Sequence, residues 1–150
     1  MDKEIIYWDA NCCLKWIKQE TGFEILKGTM HKAKLDEVEI RTSAFSLVEV
    51  FYWKENDRII KEKSSEIKKF FEEKYVVTIP LDIPIAELAR EIYFNYKISS
   101  KDAIHVASAI FDEIHVLNTF DQELLDNNGK IGTPPLKIVK PNIPYQESLL

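Results

Sequence analysis

The sequence lacks the features that mark membrane-spanning, low-complexity or repeat proteins. Its 150 residues include four glycines and six prolines, with no low-complexity run and no internal repeat. The longest apolar runs are about ten residues, too short to cross a bilayer, and the first residues do not form a signal-peptide pattern. We therefore expect a single cytoplasmic domain, since this length can bury a core without disulfides.

Cysteine and histidine are too sparse to predict a zinc site. The two cysteines, Cys12 and Cys13, are adjacent, which disfavours a disulfide between them on geometric grounds. There is no second cysteine pair, and the three histidines do not show the spacing of metal-binding histidines. A reducing compartment fits this composition.

The chain also lacks the excess of positive charge that nucleic-acid-binding proteins usually carry. Its formal net charge is -5, which argues against nucleic acid as a partner. A cluster of acids that binds divalent cations would account for part of this charge. The bound cations would then attract phosphate locally.

Alternating strand and helix patterns predict a mainly parallel sheet covered by helices on both faces. The predicted strands are 4–8, 38–42, 75–79, 114–118 and 136–139. The predicted helices follow residue 9, with Gly22 as C-cap, and then cover 44–51, 61–74, 84–92, 100–111 and 121–126. Sites in such sheets lie at the carboxyl ends of the strands. Residues 141–150 are predicted to be an irregular tail.

Several carboxylates fall where this fold would bring them together. Asp9 and Asp121 lie at or just beyond strand ends, and Asp102 lies at the start of a helix. Each has a simpler alternative role. Asp9 and Asp121 could cap the helices that follow them, and Asp102 could form a capping box with Ser99. These alternatives explain the acids singly but not their joint arrangement, because like charges this close repel each other.

Glu49 interrupts an otherwise almost wholly apolar run at residues 44–53. This run places Ala44, Leu47, Val48 and Phe51 on one face of a helix, which predicts a core helix. A buried carboxylate needs a partner, a proton or a metal. The alternatives are that Glu49 reaches solvent, or that it pairs with a cation such as Lys54 or Arg90.

Four short motifs, taken in order, resemble those of the PIN-domain nucleases, and among them the small toxins of the VapC type. Residues 5–11 resemble an opening strand that ends in Asp-x-Asn, and residues 46–49 resemble a Ser three positions before a Glu. Residues 101–109 are similar to the motif Asp-Ala-x-x-x-Ala-x-Ala, and residues 116–121 to a strand that ends in Thr-x-Asp. The match runs from about residue 4 to residue 140.

The resemblance implies a PIN-like nuclease domain over residues 1–140, folded as a three-layer α/β/α sandwich with a five-stranded sheet. It implies Mg²⁺- or Mn²⁺-dependent cleavage of RNA, a homodimer and inhibition by an antitoxin protein. The implied catalytic and metal-binding residues are Asp9, Glu49, Asp102 and Asp121. The implied supporting positions are Asn11, Ser46 and Thr119, which would orient carboxylates or water.

Some residues near these motifs have open interpretations. His105 lies one turn after Asp102 and is interpreted as a packed core histidine rather than a base. Arg90 could contact substrate phosphate or a site acid, and a surface ion pair is an equal alternative. Residues 21–35 are more than the smallest family members need, and they could form a clamp or a dimer contact.

Two other classes of function remain open from the sequence. A phosphotransfer or phosphatase-like α/β domain would also place an acid at the end of its first strand. A response-regulator receiver domain, however, needs a phosphoacceptor Asp at the end of its third strand, where this chain has Pro80. A haloacid-dehalogenase-type phosphatase needs Asp-x-Asp on its first strand, and here Asn11 replaces the second Asp. A non-catalytic module with a PIN fold is the other alternative.

Overall fold

A five-stranded, all-parallel sheet organises the computed structural model, which describes residues 2–50, 52–54, 57–58 and 61–145. The strands in chain order are β1 (Glu4–Trp8), β2 (Val38–Ser43), β3 (Tyr52–Lys54), β4 (Asp57–Arg58), β5 (Val76–Ile79), β6 (Val116–Asn118) and β7 (Lys137–Val139). The sheet order is β5-β2-β1-β6-β7, while β3 and β4 form a separate antiparallel pair. The sheet confirms the predicted fold class, and the hairpin was not predicted.

Helices cover both faces of this sheet. They are α1 (Ala10–Lys18), α2 (Lys27–Lys34), α3 (Ala44–Glu49), α4 (Lys61–Phe71), α5 (Ile83–Asn95), α6 (Ser100–Phe111) and α7 (Gln122–Leu125). Successive side chains of a strand point to opposite faces. Trp8 therefore packs into a core with α1, α2 and α4, and Tyr7 packs into a second core with α5 and α6. The result is the three-layer α/β/α sandwich.

The segment between α1 and β2 differs from the prediction. Gly22 is not the C-cap of α1, because the helix ends at Lys18 and Gln19 takes the left-handed cap conformation with φ 51°. Gly22, with φ 92°, instead precedes a 3₁₀ turn at Phe23–Leu26. This turn and α2 bury apolar side chains against the sheet, including Leu26 and Met30. Packing therefore accounts for the extra length of this segment.

The predicted core face of α3 is wrong. The helix ends at Glu49, and both Leu47 and Val48 are exposed. The buried position belongs to Ser46, whose hydroxyl lies 2.6 Å from the Thr42 hydroxyl. A helix of six residues directs only a narrow strip inward, and here a polar pair occupies it. Phe51 lies outside the described residues.

The C-terminal segment as far as residue 145 has no regular structure, and residues 146–150 lie outside the described part of the chain. Its backbone at Ile143 and Pro144 lies so close to Gly28 that a Cβ atom there would overlap the Ile143 carbonyl group. The segment therefore packs against α2. In the described ranges, no helix combines the length and apolar character that crossing a membrane requires.

Candidate active site

Asp9 lies at the carboxyl end of the central strand β1 and is 3% exposed. One carboxylate oxygen accepts a hydrogen bond from the backbone N–H of Cys12 at 2.9 Å, so Asp9 does cap α1. The other accepts from the Thr119 hydroxyl at 2.6 Å. Burial raises the pKa of Asp9 against the opposing effect of these hydrogen bonds. Asp9 therefore both caps α1 and lies at the carboxyl end of β1.

Thr119 connects two of the predicted site acids. The pairing of Trp8 with Asn118 aligns the ends of β1 and β6, which brings Asp9 and Thr119 side by side. The Thr119 hydroxyl donates to Asp9 and accepts from the backbone N–H of Asp121 at 3.0 Å. Asp121 in turn caps α7 by accepting from the N–H of Glu123 at 2.8 Å. A single threonine thus fixes the spacing of both acids.

Asp102 lies in the first turn of α6, facing the same strand ends. Its backbone N–H donates to the Ser99 hydroxyl at 3.1 Å, so Ser99 caps the helix. The pKa of Asp102 is raised to about 6, first by burial and then by the negative charges of Asp121 and Asp9. The carboxylates are therefore close enough to repel one another.

Glu123 is a further acid that the sequence did not single out. One oxygen each from Asp102, Asp121 and Glu123 could serve as a ligand, and these atoms lie within 4.8 Å of one another. Such an all-oxygen set suits Mg²⁺ or Mn²⁺. Glu123 is exposed on the short helix α7 and matches no family motif. Its position two residues after Asp121 was the one available signal.

Glu49 is the last residue of α3. Its Oε1 lies 2.6 Å from Nε2 of His105, which is 2% exposed on α6. His105 is buried, as the core interpretation expected, but it is bonded to a site acid. The negative charges of Asp9 and Glu49 both help to raise the pKa of the Cys13 thiol, after the larger effect of burial. Glu49 and Asp9 are therefore both close to this thiol.

The remaining predicted residues, Ser46, Asn11 and Arg90, form no hydrogen bond or ion pair with a site acid in the described part of the chain. Ser46 is buried and bonds Thr42, not a carboxylate. Asn11 is exposed, and within the described residues its side chain has no hydrogen bond to a site acid. Arg90 is exposed on α5 with its guanidinium 5.7 Å from the centre of the Phe94 ring. Neither predicted contact of Arg90, with an acid of the site or in a surface ion pair, is seen in the described part of the chain.

Comparison with known families agrees with this geometry. A model of the PIN domain matches residues 6–130 of the sequence. The matched region contains the four predicted acids and Glu123. No curated protein sequence matches the chain.

Solved structures share the fold at low sequence identity. A toxin–antitoxin complex from Klebsiella pneumoniae has a TM-score of 0.63 at 17% identity, covering 95% of this chain and 99% of that one. VapBC2 from Rickettsia felis, bound to a promoter DNA fragment, has 0.60 at 19%, covering 91% and 97%. VapC20 from Mycobacterium tuberculosis, a toxin that cleaves the sarcin–ricin loop, has 0.60 at 17%, covering 77% and 89%. At these identities the likeness establishes the fold alone.

Proposed function

The chain belongs to the PIN-domain family, and from that premise we propose that it is a metal-dependent endoribonuclease. The observation that carries the proposal is the convergence of Asp9, Asp102 and Asp121 at the carboxyl edge of the sheet, where burial and then the charges of Asp121 and Asp9 raise the pKa of Asp102. In the described part of the chain, no lysine or arginine forms an ion pair with these three acids. A divalent cation is the partner that would relieve their repulsion.

The side chains present fit Mg²⁺ or Mn²⁺. Oxygens of Asp102, Asp121 and Glu123 converge and would hold the ion, and we propose that Asp9 and Glu49 add further oxygen ligands. When bound, the ion activates a water molecule and stabilises the leaving oxygen of a phosphodiester. The chain itself contributes orientation, because Thr119 fixes Asp9 and the N-terminus of α7, and His105 fixes Glu49.

The proposed biological role is the toxin of a toxin–antitoxin pair that acts on RNA. Its support is the fold likeness to solved structures described as toxin–antitoxin complexes and as a toxin that cleaves the sarcin–ricin loop. A homodimer is proposed as well. It is supported by apolar side chains exposed on α5, which include Ile83, Tyr93 and Phe94.

The phosphotransfer alternative finds less support in the geometry. A phosphoacceptor aspartate must present an oxygen to the incoming phosphoryl group. The strand β5 is followed by Pro80, which has no carboxylate to present, and Asn11 stands where a second aspartate would be needed. The PIN-domain match also covers most of the chain.

Cleavage of RNA by the purified protein tests the proposal. Single-stranded and structured RNA should be cleaved with Mg²⁺ or Mn²⁺, and EDTA should stop the reaction. Asp9→Asn should lose more activity than the roughly 10–100-fold typical of residues that only support a metal ligand. Asn retains the cap of α1, so the fold should persist by circular dichroism.

Asp82→Asn is the matched control, because Asp82 caps α5 by accepting from the N–H of Ile85 at 3.2 Å, and within the described residues no hydrogen bond joins it to a site acid. It should keep full activity. Undiminished cleavage by Asp9→Asn, or cleavage that persists in EDTA, would refute the proposal. Crystals soaked in Mn²⁺ should show anomalous density among the site carboxylates.

A further inference from the structure

A row of buried hydrogen bonds leads from Glu49 into the protein interior. Oε1 of Glu49 lies 2.6 Å from Nε2 of His105, and Nδ1 of His105 lies 2.6 Å from the Tyr7 hydroxyl. The backbone N–H of Ser43 donates to the same hydroxyl at 3.1 Å. His105 is 2% exposed and Tyr7 is fully buried. The row therefore lies out of reach of water except at its Glu49 end.

The Ser43 amide gives this row a direction. A backbone N–H can only donate, so the Tyr7 oxygen accepts from it and is free to donate its own proton to Nδ1 of His105. In the histidine tautomer that accepts this proton at Nδ1, Nε2 carries the hydrogen and donates it to Glu49. Ser43 also caps the helix that carries Glu49, by accepting from the N–H of Phe45 at 3.0 Å. Ser43 at the start of α3 and Glu49 at its end are thus both hydrogen-bonded to residues of this row.

We propose that Tyr7 and His105 are positioning residues that hold the Glu49 carboxylate in its ion-binding orientation before any ion is bound. The inference rests on the proposed function, in which Glu49 is a metal ligand. A glutamate side chain has several rotatable bonds, and the Glu49 side chain is 18% exposed. Its bond to His105 fixes one oxygen and leaves the other for a ligand.

The geometry separates this role from two others. As a general base, His105 would need a free nitrogen facing substrate, but both of its nitrogens are engaged and the ring is buried. As mere core packing, the ring would not need a carboxylate and a phenol aligned with its two nitrogens. The Phe45 ring, stacked 6.3 Å away at 25°, holds the imidazole plane in place.

Mn²⁺ affinity of the purified chain, measured from the free-ion signal in electron paramagnetic resonance, tests the inference without an activity assay. His105→Leu removes the donor and should weaken binding by about 10–100-fold, the range typical of residues that orient a metal ligand. His105→Gln keeps an N–H near the position of Nε2 and should restore most of the affinity. Tyr7→Phe deletes only the hydroxyl and should give a smaller loss.

His115→Leu is the control for losing an imidazole, since His115 is exposed at the start of β6, away from the acids. It should bind Mn²⁺ as the wild type does. A loss in His105→Leu that His105→Gln does not reduce, or an equal loss in His115→Leu and His105→Leu, would overturn the inference. If the wild type itself binds no Mn²⁺, the proposed function fails and takes the inference with it. Binding by the wild type with no change in any variant overturns the inference alone.

Discussion

The two sides of the acidic site differ in how far the protein itself satisfies their carboxylates. On the inner side, both oxygens of Asp9 accept hydrogen bonds and Glu49 is held by His105. On the outer side, Asp102, Asp121 and Glu123 have oxygens within 4.8 Å of one another, and one oxygen of Asp121 accepts hydrogen bonds from the N–H groups of Glu123 and Leu124. There the pKa of Asp102 is raised to about 6 partly by neighbouring negative charge.

This difference indicates how the site works. Hydrogen-bond donors already orient the inner acids, so a cation gains ligands there without reorganising them. The outer acids repel each other until a cation arrives, so that side should bind most of the positive charge. The two sides should therefore respond differently when a hydrogen bond is removed and when the pH is changed.

Removing the Thr119 hydroxyl should produce the largest change in stability. Thr119→Val leaves one oxygen of the buried Asp9 and the N–H of Asp121 without their shared partner. An unsatisfied buried polar group costs roughly 1–3 kcal/mol, and more when it is charged. The free energy of unfolding from urea titration, measured in EDTA, should fall by about that amount.

Thr78→Val is the matched control, because Thr78 lies in β5, which pairs with β2, and is partly exposed. A surface-side substitution of this kind should change stability by no more than about 0.5 kcal/mol. If Thr119→Val were equally mild, the inner side would not depend on this hydrogen bond, and the contrast between the two sides would be lost.

The stability that Asp102 contributes on the outer side should depend on pH. Asp102 has a pKa of about 6 in the folded protein, above its ordinary value of 3.8, so the native state binds the proton more tightly than the unfolded state. Stability from this group is therefore complete at low pH and is lost as the pH rises from about 4 to about 6.

Asp102→Asn removes this titration. In EDTA, the stability of the variant relative to the wild type should increase between about pH 4 and pH 6 and then stay level. Urea unfolding at a series of pH values measures this difference. Addition of Mn²⁺ above pH 6 should stabilise the wild type more than the variant. A difference that does not change with pH would mean that neither burial nor the charges of Asp121 and Asp9 raise the pKa of Asp102.

The sheet was predictable because its strands are short apolar or alternating runs bounded by turn residues, a proline or an acid. The wrong predictions fall where tertiary packing, and not the local sequence pattern, decides which residue is buried or where a helix ends. The pattern at Leu47 and Val48 fits a core helix, yet the short helix α3 buries Ser46 instead. Similarly, Gly22 is a normal helix-ending signal, but Gln19 already ends α1.

For the site, the family motifs pointed to Asp9, Asp102 and Asp121, and the structure brings these three together. The motifs could not reveal what holds them. The sequence predicts His105 as a core histidine, and the residue is buried. A single sequence does not show whether a buried histidine is also bonded to a site acid such as Glu49. Arg90 is a candidate in the sequence because the sequence does not determine which face of α5 points toward the site.

Glu123 offers the smallest and most discriminating test of the outer side. Glu123→Gln removes one ligand and one negative charge from an exposed position, so Mn²⁺ affinity should fall by only a few-fold, less than the roughly 10-fold lower limit for orienting residues. Asp126→Asn is the control, since Asp126 is an exposed acid at the end of the same helix α7. It changes the charge equally but lies outside the group of converging oxygens. If both variants lose the same affinity in calorimetry, Glu123 acts only through its charge. If only Glu123→Gln loses affinity, its carboxylate is a ligand, and the outer side holds three ligands where the family motifs indicate two.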